Sequence, residues 1–241
     1  MENTMTASLE KSANKIGGKA LAPRPLCLGP SAPLDERLVE QLVLELTIQN
    51  CWKTLPRPLG GNSYAPSFYP AACHCELRFE TAAGIGLSDV LISEQGHTLL
   101  DGSGRSIHDF SAAHALALHS KTQAADYMRF FCRGIADNGD TFAAITTAED
   151  IHWRDDAPEK LVADISFAVR PPRLVWRGSH WIADALLLHR TDLSAARFKM
   201  TLDGNIVMLA DKRLFIELPV YREEFSKGVR VLTTPKKRDD A

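Results

Sequence analysis

The segment 73–80 alternates strictly between two kinds of side chain. Its thiol-bearing and apolar positions are Cys73, Cys75, Leu77 and Phe79. Its polar positions are His74, Glu76, Arg78 and Glu80. Because side chains of a strand point alternately to opposite faces, a period of two predicts a β-strand with one buried face. We therefore expect the first set to face the core and the second set to face solvent.

Segments of the same type recur along the chain and are separated by short turn sequences. Further strands are predicted at 87–93, 97–100, 140–146 and 161–169 and in two hairpins that turn at 177–179 and at Asp203-Gly204. Asp-Gly is a favoured two-residue hairpin turn. The regular helix-after-strand alternation that parallel sheets need is missing, so the predicted pairing is antiparallel.

Two helices are predicted from apolar residues at three- and four-residue spacing. The first begins after Asp35, which can cap it, and the second spans 120–135 and opens with a possible capping box from Ser120 to Gln123. The sequence therefore predicts an α+β fold, in which a curved, mostly antiparallel sheet of meander and hairpins carries two main helices on one face.

The helix predicted at 120–135 has an unusually broad apolar arc, which should be buried against the sheet. The remaining face carries Asp126, Arg129 and Arg133 at helical spacing. We expect these charges to reach solvent, where they form local ion pairs or bind an acidic partner. Arg129 and Arg133 are therefore candidate binding residues.

A second candidate binding surface surrounds the hairpin turn predicted at 177–179. Trp176, His180 and Trp181 combine large aromatic rings with a polar group, a composition typical of binding surfaces. The alternative left open is ordinary packing of these rings.

The composition of the two termini differs from that of the middle of the chain. Residues 1–33 are rich in Ala, Ser, Gly, Lys and Pro and have little periodic apolar surface, which predicts a flexible arm. We expect a single α+β domain at 34–230 and a flexible tail at 231–241.

The five cysteines are odd in number and irregularly spaced, which indicates reduced thiols in the cytoplasm. Cys73 and Cys75 share a predicted strand face from which His74 points away, so the three residues cannot bind one ion. No paired C-x2-C ligands complete a zinc site. We expect core cysteines, no metal and no cofactor.

Charge and motifs argue against several other functions. A formal net charge of -2 gives no long-range field to attract nucleic acid or an anionic membrane surface. No apolar run approaches the length of a membrane span. Neither a complete phosphate-binding glycine loop nor a G-x-S-x-G nucleophile motif is present.

The stretch "ADYMRFFCRGIADNGDTFAAI" contains a Y-x-R-F-F-C motif followed by a Gly and a Phe. The residues that form the pattern are Tyr127, Arg129, Phe130, Phe131, Cys132, Gly139 and Phe142. In this pattern the chain resembles a family of uncharacterised alphaproteobacterial proteins. A second, weaker likeness lies in the final hairpins. The resemblance implies a bacterial origin and a cytoplasmic setting, and no mechanism.

Two functions remain open from the sequence. We expect a non-enzymatic binding or adaptor domain whose concave sheet face or exposed hairpins bind a protein or a small ligand. The alternative is an enzyme in which a His and a carboxylate from distant positions perform acid–base chemistry in the concavity of the sheet. The oligomeric state is left open.

Overall fold

The computed structural model describes residues 21–52, 57–81, 84–226 and 228–235. Within them the helices are α1 (Glu36–Gln49), α2 (Gly104–Ala113), α3 (Lys121–Gly134) and α4 (Glu159–Ala168), with a 3-10 turn at Ala148–Asp150. The strands are β1 (Ser31–Pro33), β2 (Pro58–Tyr64), β3 (Ala72–Thr81), β4 (Gly84–Ser93), β5 (Gly96–Leu99), β6 (Ala136–Asp137), β7 (Asp140–Ile145), β8 (Arg173–Trp176), β9 (His180–His189), β10 (Asp192–Thr201), β11 (Ile206–Phe215), β12 (Arg222–Ser226) and β13 (Val229–Thr233).

All of these strands join one antiparallel sheet, which confirms the predicted α+β class. Its order is β1-β2-β3-β4-β13-β12-β7-β9-β10-β11, and β5, β6 and β8 pair beside β4, β7 and β9. The C-terminal hairpin β12–β13 lies between the N-terminal meander and the later hairpins. Strands β1 and β11 are the two edges of this path.

The helices α1 and α3 lie on opposite faces of the sheet, so the prediction that both pack on one face is wrong. Leucine and valine side chains of α1 pack against Cys75, Leu77 and Phe79 of β3. The next side chain along that strand, His74, points to the other face and contacts the ring of Phe130 on α3. Because β3 is covered on both faces, some of the polar side chains that were expected to face solvent are buried.

Both predicted helices begin where their capping residues indicate. The Asp35 carboxylate accepts from the Arg37 N–H at 2.9 Å before α1. Ser120 accepts from the Gln123 N–H at 3.1 Å, and the Gln123 amide oxygen accepts from the Ser120 N–H at 3.0 Å. Each cap satisfies backbone donors that have no partner within the first helical turn.

Helices α2 and α4 were not predicted. The segment 161–169 forms most of α4 instead of a strand, because Leu161 and Ile165 lie four residues apart on one helical face while Phe167 is exposed. Over so short a run an alternating pattern and a helical pattern overlap. Within the described residues no helix combines the length and the apolar character needed to cross a membrane.

The N-terminal arm predicted at 1–33 is wrong for its described part, residues 21–33. Leu26 and Cys27 are buried in the core, and β1 pairs with β2. The Leu21 carbonyl accepts from the Ile85 N–H at 3.1 Å. At the other end β13 continues to Thr233, beyond the predicted boundary at 230. The remainder of the predicted arm and of the tail, 1–20 and 236–241, lies outside the described residues.

Candidate functional site

Arg129 and Arg133 lie on the buried side of α3, so their predicted solvent position is wrong. Arg129 is 3% exposed and Arg133 is 0% exposed. Asp150, at the end of the 3-10 turn, approaches both guanidinium groups, at 3.4 Å from Arg129 and 3.3 Å from Arg133. The spacing of four that aligns the two arginines on one helical face thus directs both toward an acidic partner inside the protein.

The ion pairs continue from α3 into the sheet. Glu223 on β12 accepts from Arg133 at 3.1 Å and from Arg230 on β13 at 2.7 Å. Arg230 in turn donates to Asp89 on β4 at 2.7 Å. We call Arg129, Asp150, Arg133, Glu223, Arg230 and Asp89 the buried ion network. Its three guanidinium groups balance its three carboxylates, which limits the cost of removing the charges from water.

Burial, Arg230 and His74 act in different directions on the pKa of Asp89. Burial alone would raise that pKa, but the Arg230 charge and a hydrogen bond with His74 at 2.8 Å outweigh it and hold the pKa at about 2. For Arg133 the loss of hydration dominates and lowers the pKa to about 10. Asp89 and Arg133 therefore remain charged at neutral pH.

Glu76 is the carboxyl group beside this network that lacks a cationic partner in contact. It is 3% exposed and lies directly opposite Asp89 in the pairing of β3 with β4. Burial, followed by the charge of Asp89, raises the pKa of Glu76 to about 7. Its Oε2 has no hydrogen-bond partner among the described residues. This carboxyl therefore loses its proton near neutral pH instead of near the ordinary pKa value of 4.5.

Residues 24–26 close one end of the network with their backbone carbonyls. The Arg24 carbonyl accepts from Arg230 at 2.8 Å, and the Leu26 carbonyl accepts from Arg129 at 2.9 Å. These bonds occupy guanidinium donors that would otherwise lack partners. The His74–Asp89 pair is fully buried, so no substrate could reach this His and carboxylate in the described conformation. The arrangement supports the fold and offers no open catalytic site.

A small cavity lies at the other end of the network. It measures about 20 Å³, and its polar lining comprises Thr141, Asp150, His152, Arg190, Tyr221 and Glu223. That volume holds about one water molecule. Burial, assisted by the charges of Arg24 and Arg133, lowers the pKa of His152 to about 4. Arg190 already donates to Asp140 at 2.8 Å. A neutral imidazole and several charged groups thus line the same cavity. The cavity is too small to hold a substrate.

The three residues at the 177–179 turn adopt different environments. Trp181 is buried, and its indole N–H donates to the Leu118 carbonyl at 2.8 Å. Trp176 is 40% exposed and packs edge-on against Trp181. His180 is half-buried, with Nδ1 3.2 Å from the Ser179 hydroxyl. The predicted turn is confirmed, and Trp181 packs in the core, while Trp176 leaves a single exposed aromatic edge.

Cys75 lies in the core beneath α1, and the half-buried Cys73 packs at its margin. Their sulfur atoms are 3.8 Å apart. His74 points to the opposite face of β3, as predicted, but it is buried there instead of exposed. Within the described ranges no three His, Cys, Asp or Glu side chains are grouped closely enough to hold a metal ion.

An exposed apolar surface that sequence reasoning missed follows the edge strand β11. Nearly the whole strand is exposed, although it is ten residues long. Its exposed apolar side chains, with the residue that follows the strand, are Val207, Met208, Leu209, Leu214 and Ile216. The detectable signal was the run of four apolar residues at 206–209, directly after the predicted Asp203-Gly204 turn. We call residues 206–216 the β11 edge.

The β11 edge is held in place by its hairpin with β10. Phe198 and Met200 of β10 are buried in the core. The hairpin turns at Asp203-Gly204 as predicted, but its loop is longer than two residues, because the Thr201 N–H donates to the Asn205 carbonyl at 3.0 Å. Gly204 has φ +84°, and an added Cβ would lie 2.5 Å from the Tyr127 hydroxyl oxygen. That hydroxyl donates to the Gly204 carbonyl at 2.9 Å. Helix α3 therefore anchors the turn from which the exposed strand departs.

The charged centre of β11 separates two apolar ends. Asp211, Lys212 and Arg213 are exposed and lie between β-bulges at Leu209 and Leu214, where the pairing with β10 shifts by one residue. Arg213 is 3.8 Å from Asp192, which is too far for a hydrogen bond. The outer edge of this strand therefore presents main-chain groups, apolar side chains and charges of both signs.

Comparison with protein-family models, with curated protein sequences and with solved structures gives no match for this chain. The resemblance to alphaproteobacterial proteins carried by residues 127–142 therefore stays a prediction.

Proposed function

We propose that this protein is a protein-binding domain, with an adaptor role, that binds an extended segment of a partner along the β11 edge. The observation that carries the proposal is a ten-residue edge strand that exposes apolar side chains along most of its length. In monomeric soluble proteins large exposed apolar patches commonly mark interaction sites. Strand addition at such an edge is a known mode of peptide recognition.

Two kinds of interaction are available at this edge. The outer N–H and C=O groups of an edge strand can pair with any extended backbone, which contributes affinity. The apolar side chains on either side of the charged centre favour a partner with a matching arrangement of side chains. Affinity and specificity thus come from different atoms of the same strand.

The buried ion network supports this proposal indirectly. Its charged groups pair with one another and with the backbone carbonyls of Arg24 and Leu26 inside the protein. Arg129 and Arg133 therefore serve the scaffold, and they are not available to an acidic partner in this conformation. The β11 edge, in contrast, combines exposure, length and apolar character.

Site-specific photo-crosslinking in cells tests the proposal. A benzophenone amino acid is placed at Leu209, which is 51% exposed on β11, and at Leu44, which is 57% exposed on α1. We expect a discrete crosslinked product from position 209 and none from position 44. The crosslinked partner is then purified, and its affinity for the protein is measured by calorimetry.

Substitution of the same two leucines completes the test. Leu209→Lys should weaken binding at least about tenfold, because it places a charge in an apolar contact. Leu44→Lys should leave the affinity unchanged. Equal crosslinking at both positions, or an affinity that Leu209→Lys does not change, would contradict the proposal.

The cavity beside His152 favours the second candidate function, acid–base catalysis. A neutral imidazole lies there with Asp150 and Glu223, which is the His-plus-carboxylate combination that such chemistry needs. Opening of the cavity would be required first, because its volume fits only about one water molecule. Turnover of a panel of ester and phosphoester substrates that His152→Gln abolishes without lowering the melting temperature would favour this candidate over binding.

A further inference from the structure

We propose that the partner at the β11 edge is a second copy of this chain, paired with it in antiparallel fashion about a two-fold axis. The inference rests on the proposed function, because it assumes that β11 binds an extended segment. It adds the identity of that segment, which is β11 itself, and one register of pairing.

Symmetry restricts which residues can lie opposite each other. A two-fold axis perpendicular to the sheet keeps each side chain on its own face, and residues directly opposite in an antiparallel pair share a face. In the regular stretch between the bulges, Asp211 and Arg213 share one face, because they pair with Ala196 and Ser194 of β10. Lys212 lies on the other face. The axis must therefore pass beside a residue that pairs with its own copy.

Each of residues 210–213 could lie opposite its own copy, and charge distinguishes these four registers. With Ala210 at the axis no Asp lies opposite an Arg, and with Asp211 or Arg213 at the axis two like charges face each other, which is destabilising. If Lys212 is opposite its own copy, Asp211 of each chain lies opposite Arg213 of the second copy. This register forms two Asp–Arg pairs on one face, and we assign it to the dimer.

The same register brings the apolar ends of β11 together. Counting outward from Lys212, Met208 and Leu209 of one chain come opposite Ile216 and Phe215 of the second copy. Each exposed apolar segment is thereby covered by another, which removes apolar surface from water. The one unfavourable contact is between the two Lys212 side chains, whose flexible stems can carry the ammonium groups apart into solvent.

Sedimentation equilibrium of the purified full chain from about 1 μM to about 100 μM tests the dimer. We expect the weight-average mass to rise toward twice the 26.6 kDa of one chain. Asp211→Arg and Arg213→Asp should each abolish the rise, because each places like charges opposite each other twice. The double charge exchange should restore it.

A matched control uses another exposed Asp–Arg pair of the same sheet. Arg197 on β10 donates to Asp184 on β9 at 2.6 Å, and both residues lie on strands inward of the outer edge of β11. Arg197→Asp should leave the association unchanged. Far-ultraviolet circular dichroism and the melting temperature of each variant establish that it is folded.

Three results would overturn the inference. These are a wild-type chain that stays monomeric at the highest concentration, a dimer that neither single substitution weakens, and a double exchange that fails to restore association. A monomeric wild-type chain that still crosslinks from position 209 to a different protein would overturn the inference and retain the proposed function. A chain that neither dimerises nor crosslinks at that position would overturn both.

Discussion

Glu76 and Asp89 lie directly opposite each other on β3 and β4, yet only Asp89 has an arginine in contact. Two carboxyl groups at one buried position therefore differ in protonation. The pKa of Asp89 is held at about 2, whereas burial and the charge of Asp89 raise that of Glu76 to about 7. This difference makes the stability of the protein depend on pH in a calculable direction.

Glu76→Gln should flatten the pH dependence of stability. The folded-state pKa of Glu76 is raised, so its stabilising contribution is present below the ordinary value of 4.5 and is lost as the pH rises through about 7. The difference between these two pKa values corresponds to a loss of at most about 3 kcal/mol in the free energy of unfolding. We expect the free energy of unfolding of Glu76→Gln to exceed that of wild type by up to this amount at pH 8 and by little at pH 4.5. Unfolding in urea at the two pH values measures the difference. Glu80→Gln, an exposed position of the same strand, is the control, and an equal gain there would refute the interpretation.

Arg133→Ala should destabilise the protein by about 3–5 kcal/mol, because it leaves Glu223 and Asp150 buried with one cation fewer. At the solvent-exposed position that the sequence predicted for Arg133, the same substitution would change the stability by no more than about 0.5 kcal/mol. Arg105→Ala on the exposed face of α2 is the matched control and should stay within that range. Chemical denaturation at pH 7 separates the two cases, and a mild effect of Arg133→Ala would mean that the ion network is not formed.

Phe131→Ala should cost about 3–5 kcal/mol, as truncation of a buried aromatic side chain does. Phe131 packs with the other aromatic rings of the main core on α3. The measurement is the free energy of unfolding in urea. A loss below about 1 kcal/mol would show that this helix is not buried as described.

Leu26→Ala should destabilise the protein by about 2–5 kcal/mol, whereas Leu28→Ala should have little effect. Leu26 is 1% exposed in the main core, and Leu28 is 63% exposed two residues later. The pair tests whether the segment before β1 belongs to the folded body. Equal melting temperatures for the two variants would support the flexible arm predicted from composition instead.

Lys212→Thr should strengthen the self-association proposed for β11. The substitution removes the single like-charge contact of the assigned register and introduces a residue that favours strands. Sedimentation of this variant should show dimer at lower concentration than wild type, while Lys199→Thr on β10 should not change the association. A weaker dimer of Lys212→Thr would argue against placing this residue at the two-fold axis.

The sequence correctly predicted the elements that are specified by residues close together in the chain. The capping residues Asp35 and Ser120, the Asp203-Gly204 turn and the alternation in β3 each act within a few residues, and the structure confirms the elements they predict. The two missed helices, α2 and α4, have short apolar patterns. Over about ten residues such a pattern fits a helix, a strand or a turn, and tertiary contacts determine the choice.

The sequence by itself determined the α+β class, the antiparallel pairing and the start of the two main helices, because periodicity and capping depend on neighbouring residues. Only the tertiary structure decided the burial of His74, Glu76, Arg129 and Arg133. Arg133 meets Glu223 across 90 residues of sequence, and Arg230 meets Asp89 across 141. Whether a polar face is exposed or buried depends on which elements pack over it and which opposite charges lie beside it. The packing elements and the charged partners both come from distant parts of the chain.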